Sequence, residues 1–268
     1  MHRSVWCVYL MVSAVASHGY LSWPEARQYK CYRDNNFWWP QNGDDIPDAA
    51  CRRAYKTVYA KYMSNGDSSG VAANAAQYMF QQYYEYAALA GADYLDDEHL
   101  KRDVVPHNLC AAGADKRSGV FGDKSGVDEP FADWRPTVFY LTDKDRYRSG
   151  KLITLHFCPT VVHEPSYFEV YVSAPHYNYT RPLHWDDLEF VGGEHSDLVE
   201  NDGSDEACAH NYLYAITVTI PFRRNKFVIY VRWQRHDVVG EGFYNCADVV
   251  FDNNAAYKHI QWETADEL

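Results

Sequence analysis

The sequence predicts a mainly β protein, an antiparallel β-sandwich carrying a helical insertion after its first strand. Three observations predict it. From about Thr137 onward, short runs rich in Val, Ile, Tyr, Phe and Thr alternate with Gly- and Asp-rich turns. Residues 48–91 instead carry apolar side chains at helical spacing. No internal repeat, low-complexity linker or composition break marks a second domain.

Taken in order, residues 1–17 (MHRSVWCVYLMVSAVAS) read as a secretory signal peptide. Arg3 begins it, Val5 to Ala16 form its apolar stretch, and Val15-Ala16-Ser17 supplies small residues before a cut. The apolar run is too short to span a bilayer as a helix, so no transmembrane segment is expected. Residues 18–47, rich in Trp, Pro and Asn, suit a short first strand followed by loop. Asp48 caps a helix running to about Met63, with Tyr55, Val58, Tyr59 and Tyr62 on one face. Asn65 to Gly70 breaks the chain, and a second helix is expected from about Val71 to Ala90, ended by Gly91. Expected strands are Thr137–Leu141, Lys151–Phe157, Tyr167–Ser173, Ala215–Pro221, Phe227–Gln234 and Ala247–Phe251. The run Phe227–Gln234 shows period two most clearly, with Phe227, Ile229, Val231 and Trp233 on one face. The sandwich domain is bounded at 18–252, leaving 253–268 as a tail.

Charge narrows the partners. With 25 Lys+Arg against 37 Asp+Glu the chain carries a formal −12 and no basic stretch, a poor match to nucleic acid and a better one to a neutral polymer or small ligand. Of seven cysteines, Cys7 leaves with the leader. An even remainder, Cys31, Cys51, Cys110, Cys158, Cys208 and Cys246, argues for three disulfides in a secreted chain, for which sequence alone allows fifteen pairings. Asn178-Tyr179-Thr180 is a glycosylation sequon. The terminal Ala265-Asp266-Glu267-Leu268 is similar to an endoplasmic-reticulum retention signal, though an acidic tail is the simpler reading.

The chemistry centres on His18. Cleavage after Ser17 would make it the mature N-terminus, offering an α-amine and a ring Nδ1 from one residue, both readily deprotonated by a metal at mild pH. A second imidazole must come from elsewhere. His163, in a turn between two expected strands, is the best placed. His107, His176, His184 and His210 lie in loops and stay open, whereas His156 lies within a strand and suits packing or hydrogen bonding. Imidazole and amine nitrogens suit Cu(II), with zinc as the rival. A glycoside hydrolase would instead need two positioned carboxylates, and among 37 acidic residues such a pair is found by accident too readily to carry weight.

Three islands then point to a family. His18-Gly19-Tyr20 with Pro24, Arg27, Tyr29 and Cys31, then His163 with Tyr167 to Tyr171, and finally Trp233, Asp237 and Gly242 to Val249 occur in the expected order. Together they resemble chitin-active lytic polysaccharide monooxygenases of auxiliary activity family ten. The Tyr-rich helical segment and Leu109 to Gly113 are most similar to the viral fusolin or spindle branch.

The resemblance implies an immunoglobulin/fibronectin-III-like sandwich and a histidine brace holding one copper. His18 would give its amine and Nδ1 and His163 its Nε2, with Phe243 at the axial position. Val161 stands where the family often has a small residue shaping access. The family's Glu or Gln near the metal has no direct counterpart. Ala90 falls in its place, leaving Glu85 or another polar side chain as the substitute. Tyr83, Tyr84 and Tyr86 are implied as the substrate-stacking rings. Cys31–Cys51 matches a family bridge at its first half-cystine; Cys158–Cys246 would tie two core strands, leaving Cys110–Cys208.

The function implied is a secreted copper-dependent monooxygenase that oxidatively cleaves glycosidic bonds in crystalline chitin. It would use an external electron donor and oxygen or peroxide, and would loosen a host chitin barrier for a virus. The alternatives are a non-catalytic chitin-binding protein and a structural protein that self-assembles into spindle crystals.

Overall fold

A computed structural model describes residues 18–37, 42–130, 133–145 and 148–252; the leader and the tail with its Ala265–Leu268 signal lie outside them. Two antiparallel sheets face each other, as the sequence predicts. In the first, β1 (Gly19–Trp23), β4 (Gly150–Pro159), β8 (Tyr212–Pro221) and β7 (Ser196–Glu200) lie in that order. In the second the order is β2 (Ala87–Leu89), β10 (Glu241–Phe251), β9 (Phe227–Arg235), β5 (Ser166–Ser173) and β6 (Leu188–Gly192). The short β3 (Thr137–Phe139) adds to β10 in parallel.

Between the sheets lies a core of Leu21, Phe157, Phe168, Ile229, Val231, Trp233 and Phe243. A second core lies on the far side of the second sheet. There Val228, Tyr230, Tyr244 and Cys246 pack against Tyr55, Val58, Met79 and Phe80 of the helical insertion. Every residue of β9 is therefore buried. The period-two pattern is real, but its second face meets helices instead of water, which makes the domain three-layered.

The helices are α1 (Arg27–Arg33), α2 (Ala49–Ser64) and α3 (Ser69–Gln81). Asp48 caps α2, its side chain accepting from the Cys51 N–H, and Ser68 caps α3 from the Val71 N–H. The second helix stops at Gln81, nine residues before the expected Ala90. After Gln82 the chain turns, and Ala87–Leu89 pairs with Glu241–Phe243 instead. Sheet pairing there overrides the helical preference of an Ala-rich segment.

The disulfides are Cys31–Cys51, Cys110–Cys246 and Cys158–Cys208. The expected pairings Cys158–Cys246 and Cys110–Cys208 are thus corrected. Cys158 points into the core between the sheets, as does Cys208, while Cys246 points out of the second sheet to meet Cys110 in the helical layer. A bridge from Cys158 to Cys246 would have to cross the second sheet.

Candidate metal centre

Register brings the two histidines to one edge. Gly19 pairs with Pro159, and the next residue outward on each strand is His18 and Thr160. The Thr160 N–H donates to the His18 carbonyl at 2.7 Å, and the His18 N–H donates to Thr160 Oγ1 at 3.1 Å. Gly19 donates to the Tyr84 carbonyl at 3.1 Å. A Cβ at position 19 would lie 2.4 Å from the Phe157 ring, so only glycine lets β1 sit this close beneath His18.

His163 lies three residues beyond Thr160, in the β4–β5 turn. Tyr214 of β8 grips it on both sides: the His163 N–H donates to the Tyr214 hydroxyl at 3.3 Å, and that hydroxyl donates to the His163 carbonyl at 3.0 Å. Both imidazoles are partly exposed, their side chains at 18% and 23%. Burial lowers the His18 imidazole below its usual range, with Lys124 and Arg235 adding and Glu85 opposing. Burial likewise lowers His163, reinforced by Arg235 and opposed by Asp237 and Glu164. Arg235 acts on both rings, which shows that they share one electrostatic neighbourhood. Neutral imidazoles are the metal-ligating form.

Phe243, fully buried, lies edge-on to His18 with ring centroids 5.9 Å apart, and rests on Trp233. Glu85, one candidate to replace the family's Glu or Gln, brings Oε1 to 4.0 Å from His18 Nε2, the ring nitrogen that a brace through Nδ1 leaves free, and accepts a hydrogen bond from the Tyr78 hydroxyl at 3.0 Å. Ala90 is buried in the helical layer. Asp237 Oδ2 lies 3.6 Å from His163 Nε2 and 2.7 Å from Arg235, whose other partner is Glu241. Val161 is exposed on the turn two residues before His163.

Of the three stacking candidates, Tyr84 is half-buried and stacks on His18 at 5.5 Å. Tyr83 packs among Tyr20, Tyr29 and Tyr32. Tyr86 is a correction, since it is fully buried with its hydroxyl donating to the Met79 carbonyl, and cannot touch a polymer. The other histidines have separate partners: His156 with Asp205, His107 with Asp115, His176 with Asp187, and His210 with the Tyr212 backbone. The His184 N–H is held by Asp187. Asn178 is exposed in a local turn, its side chain accepting from Thr180.

Thr160, Tyr214 and Arg235 were not singled out from sequence. Their roles depend on strand register, which no local pattern reveals. Among the described residues no cluster of three or more His, Cys, Asp or Glu is placed to hold a metal. A brace takes three nitrogens from two residues, and the donors here fit it: two neutral imidazoles and the His18 nitrogen at one exposed edge.

A β-sandwich with two histidines brought to one end is an arrangement that known proteins share. Residues 18–249 match the family model described as "Lytic polysaccharide mono-oxygenase, cellulose-degrading", and the chain belongs to that family. It is 47% identical over 250 residues to spindolin of Heliothis armigera entomopoxvirus, covering 92% of this chain and 70% of that one. It superposes on an entomopoxvirus fusolin solved in complex with zinc with a TM-score of 0.83 and 50% identity, covering 88% of this chain and 76% of that one. More distantly, it is 26% identical to the chitin-binding protein CbpD of Pseudomonas aeruginosa, over 91% of this chain and 50% of that one. Among the described residues no helix is long and apolar enough to cross a membrane.

Proposed function

We propose that this chain, once cut after Ser17, is a secreted copper-dependent monooxygenase that oxidatively cleaves chitin. The observation that carries the reading is the shared edge. The His18 backbone is clamped by Thr160, His163 is clamped by Tyr214, and Phe243 closes the space beneath. His18 would hold copper by its amine and Nδ1, and His163 by Nε2. Copper would supply one-electron activation of oxygen or peroxide, with electrons from an external donor.

The chain's own residues do the rest. Thr160 holds the His18 backbone through bonds to its nitrogen and its carbonyl. Glu85 stands beside the ring nitrogen turned away from the metal, and Tyr78 fixes its carboxylate. Buried Phe243 keeps water from that side, and Tyr84 offers a ring to a sugar face. Hydroxylation of a C–H beside the glycosidic oxygen leads to elimination of the bond, so no carboxylate pair is required. Zinc competes for the same nitrogens, and the zinc-bound fusolin is a reason to measure both metals. Chitin is preferred to cellulose through the chitin-binding relative, against the cellulose named for the family.

A second reading, spindle formation, is favoured by the crystallising fusolin relative. The cysteines from Cys31 to Cys246 are all paired within the chain, so such packing would not draw on disulfides between copies.

The test is an intact mass under native conditions with one equivalent of Cu(II), together with N-terminal sequencing and an assay for oxidised chitin oligosaccharides. A chain beginning at His18, carrying one copper and releasing oxidised sugars, is expected. A different N-terminus, or no copper, ends the enzyme reading.

A further inference from the structure

Beside the metal edge, on the His163 side, stands a second group of rings that the mechanism above does not use. Tyr94 and Tyr167, both half-buried, flank the exposed ring of His236 at centroid distances of 5.7 and 5.0 Å. The Tyr94 hydroxyl is 3.2 Å from His236 Nδ1. Below them lies Arg232, itself buried, with its guanidinium 5.6 Å from the Tyr167 ring centre and donating to the Tyr94 carbonyl at 2.9 Å. Glu169 and Gln234 in turn fix Arg232. The rings are thus held in place before any ligand arrives.

Their position ties them to the metal edge. His236 donates its N–H to Pro165, two residues after His163, and Asp237, the next residue, is the one that faces His163. The Tyr94 loop is pinned to the same β9–β10 turn by bonds from Ala90 to the Gly240 carbonyl and from Gly91 to the Val239 carbonyl. Around the rings, Leu95 is 69% exposed and Val238 is 83% exposed. A cluster serving only to pack would not leave its imidazole and two aliphatic side chains in water.

We propose that Tyr94, Tyr167 and His236 form a second sugar-stacking subsite, which takes pyranose rings of the same β-linked polymer on the His163 side while Tyr84 takes one on the His18 side. Ring faces stack on the axial C–H groups of a pyranose, and the tyrosine hydroxyls and imidazole can bond its hydroxyl or acetamido groups. The proposal rests on the polysaccharide reading of the metal edge and adds that the polymer is gripped on both sides of it.

The test uses metal-free full-length mature protein, so that copper chemistry plays no part. Binding isotherms on insoluble chitin are compared for the wild type, Tyr94→Ala/His236→Ala and Tyr167→Ala, with Cu(II) affinity and melting midpoint measured on each. The expected result is on the order of tenfold weaker chitin binding for the double variant, with copper affinity within about twofold. His236→Ala alone, a surface change that cannot unfold the sheet, should weaken binding by a smaller factor in the same direction. Chitin binding unchanged in the variants, where the copper-loaded wild type oxidises chitin, would overturn this subsite and leave the enzyme reading intact. Loss of self-association in place of loss of chitin binding would overturn it in favour of a second copy of the chain. A wild type that neither binds nor oxidises chitin overturns both.

Discussion

Lys124 is a lysine with no water to solvate it, and that makes a measurable prediction. It is fully buried; its ammonium donates to the Gln82 carbonyl at 3.3 Å and lies 4.9 Å from the ring centres of both Tyr78 and Tyr86. Burial pushes its pKa down to about 7 from an ordinary 10.5, with Glu85 opposing. Between those values the unfolded chain binds the proton more tightly than the folded one. Stability therefore rises with pH across that window and is lowest below about 7. At about 1.4 kcal/mol per unit the whole window is worth about 5 kcal/mol, of which about 3 kcal/mol falls between about pH 7 and pH 9.5. Lys124→Met keeps the stem and removes the titration. Urea unfolding followed by tryptophan fluorescence, disulfides intact, should show the wild type gaining about 3 kcal/mol relative to the variant over that interval. Subtracting the variant cancels the other titrating groups. A difference between the two proteins that stays constant with pH within about 0.5 kcal/mol would refute the argument.

The remaining predictions concern connections around the edge. Removing Cys110–Cys246, which spans 136 residues, should cost about 5 kcal/mol in the chain-entropy account, against about 4 for Cys158–Cys208 and about 3 for Cys31–Cys51; melting midpoints of the three paired Cys→Ser variants should fall in that order. Gly240→Ala should destabilise by about 2 kcal/mol or more, because φ there is +60° and a Cβ would lie 2.0 Å from the Gly91 carbonyl oxygen; a midpoint within a degree or so of wild type would contradict the clash. Tyr86→Phe should lose about 1 kcal/mol of stability with its bond to Met79 while chitin binding is unchanged. Tyr84→Ala should weaken chitin binding and leave stability almost as it was, as read by isotherms and thermal melts run side by side.

Much of this architecture was legible because it obeys local periodicity. β9 alternates cleanly, β4, β5 and β8 overlap their expected ranges, and Asp48 caps α2 where the sequence places a cap. The edge strands Leu188–Gly192 and Ser196–Glu200 were missed because the first is mostly half-buried and the second mostly exposed, so burial imposes no alternation on them. Helix α1 hides in a segment whose Gln28 and Arg27 look like surface residues but are buried, Arg27 paired with Asp248 and Gln28 bonded to Asn245. The cysteine pairing failed for a related reason. Which sheet face a cysteine occupies depends on a helical layer that local sequence does not place. At the candidate site, His18 and His163 stand out in the sequence through an expected cleavage point and a turn, whereas Thr160, Tyr214 and Lys124 matter only through contacts across the fold.

Those long-range contacts explain why a helical layer belongs next to this edge at all. A strand of five residues at the edge of its sheet would fray if its pairing with β4 were its only anchor. Here the Leu21 N–H donates to Asn245 Oδ1 at 3.2 Å, and Gln28 donates to the same oxygen at 2.6 Å. The Gln28 amide also reaches the Tyr83 carbonyl, and Gly19 donates to that of Tyr84. The strand bearing His18, the first helix and the segment bearing Tyr84 and Glu85 therefore all converge on β10, the strand that also presents Phe243. Buried polar groups that meet in one network fix relative position more sharply than apolar contacts do. The His18 backbone, the carboxylate of Glu85 and the ring of Phe243 are set by one strand, and Lys124 locks the same segment from behind through Gln82. A brace of the proposed kind would tolerate little error in where its amine lies, and the contacts that fix the His18 backbone here come in part from the helical layer.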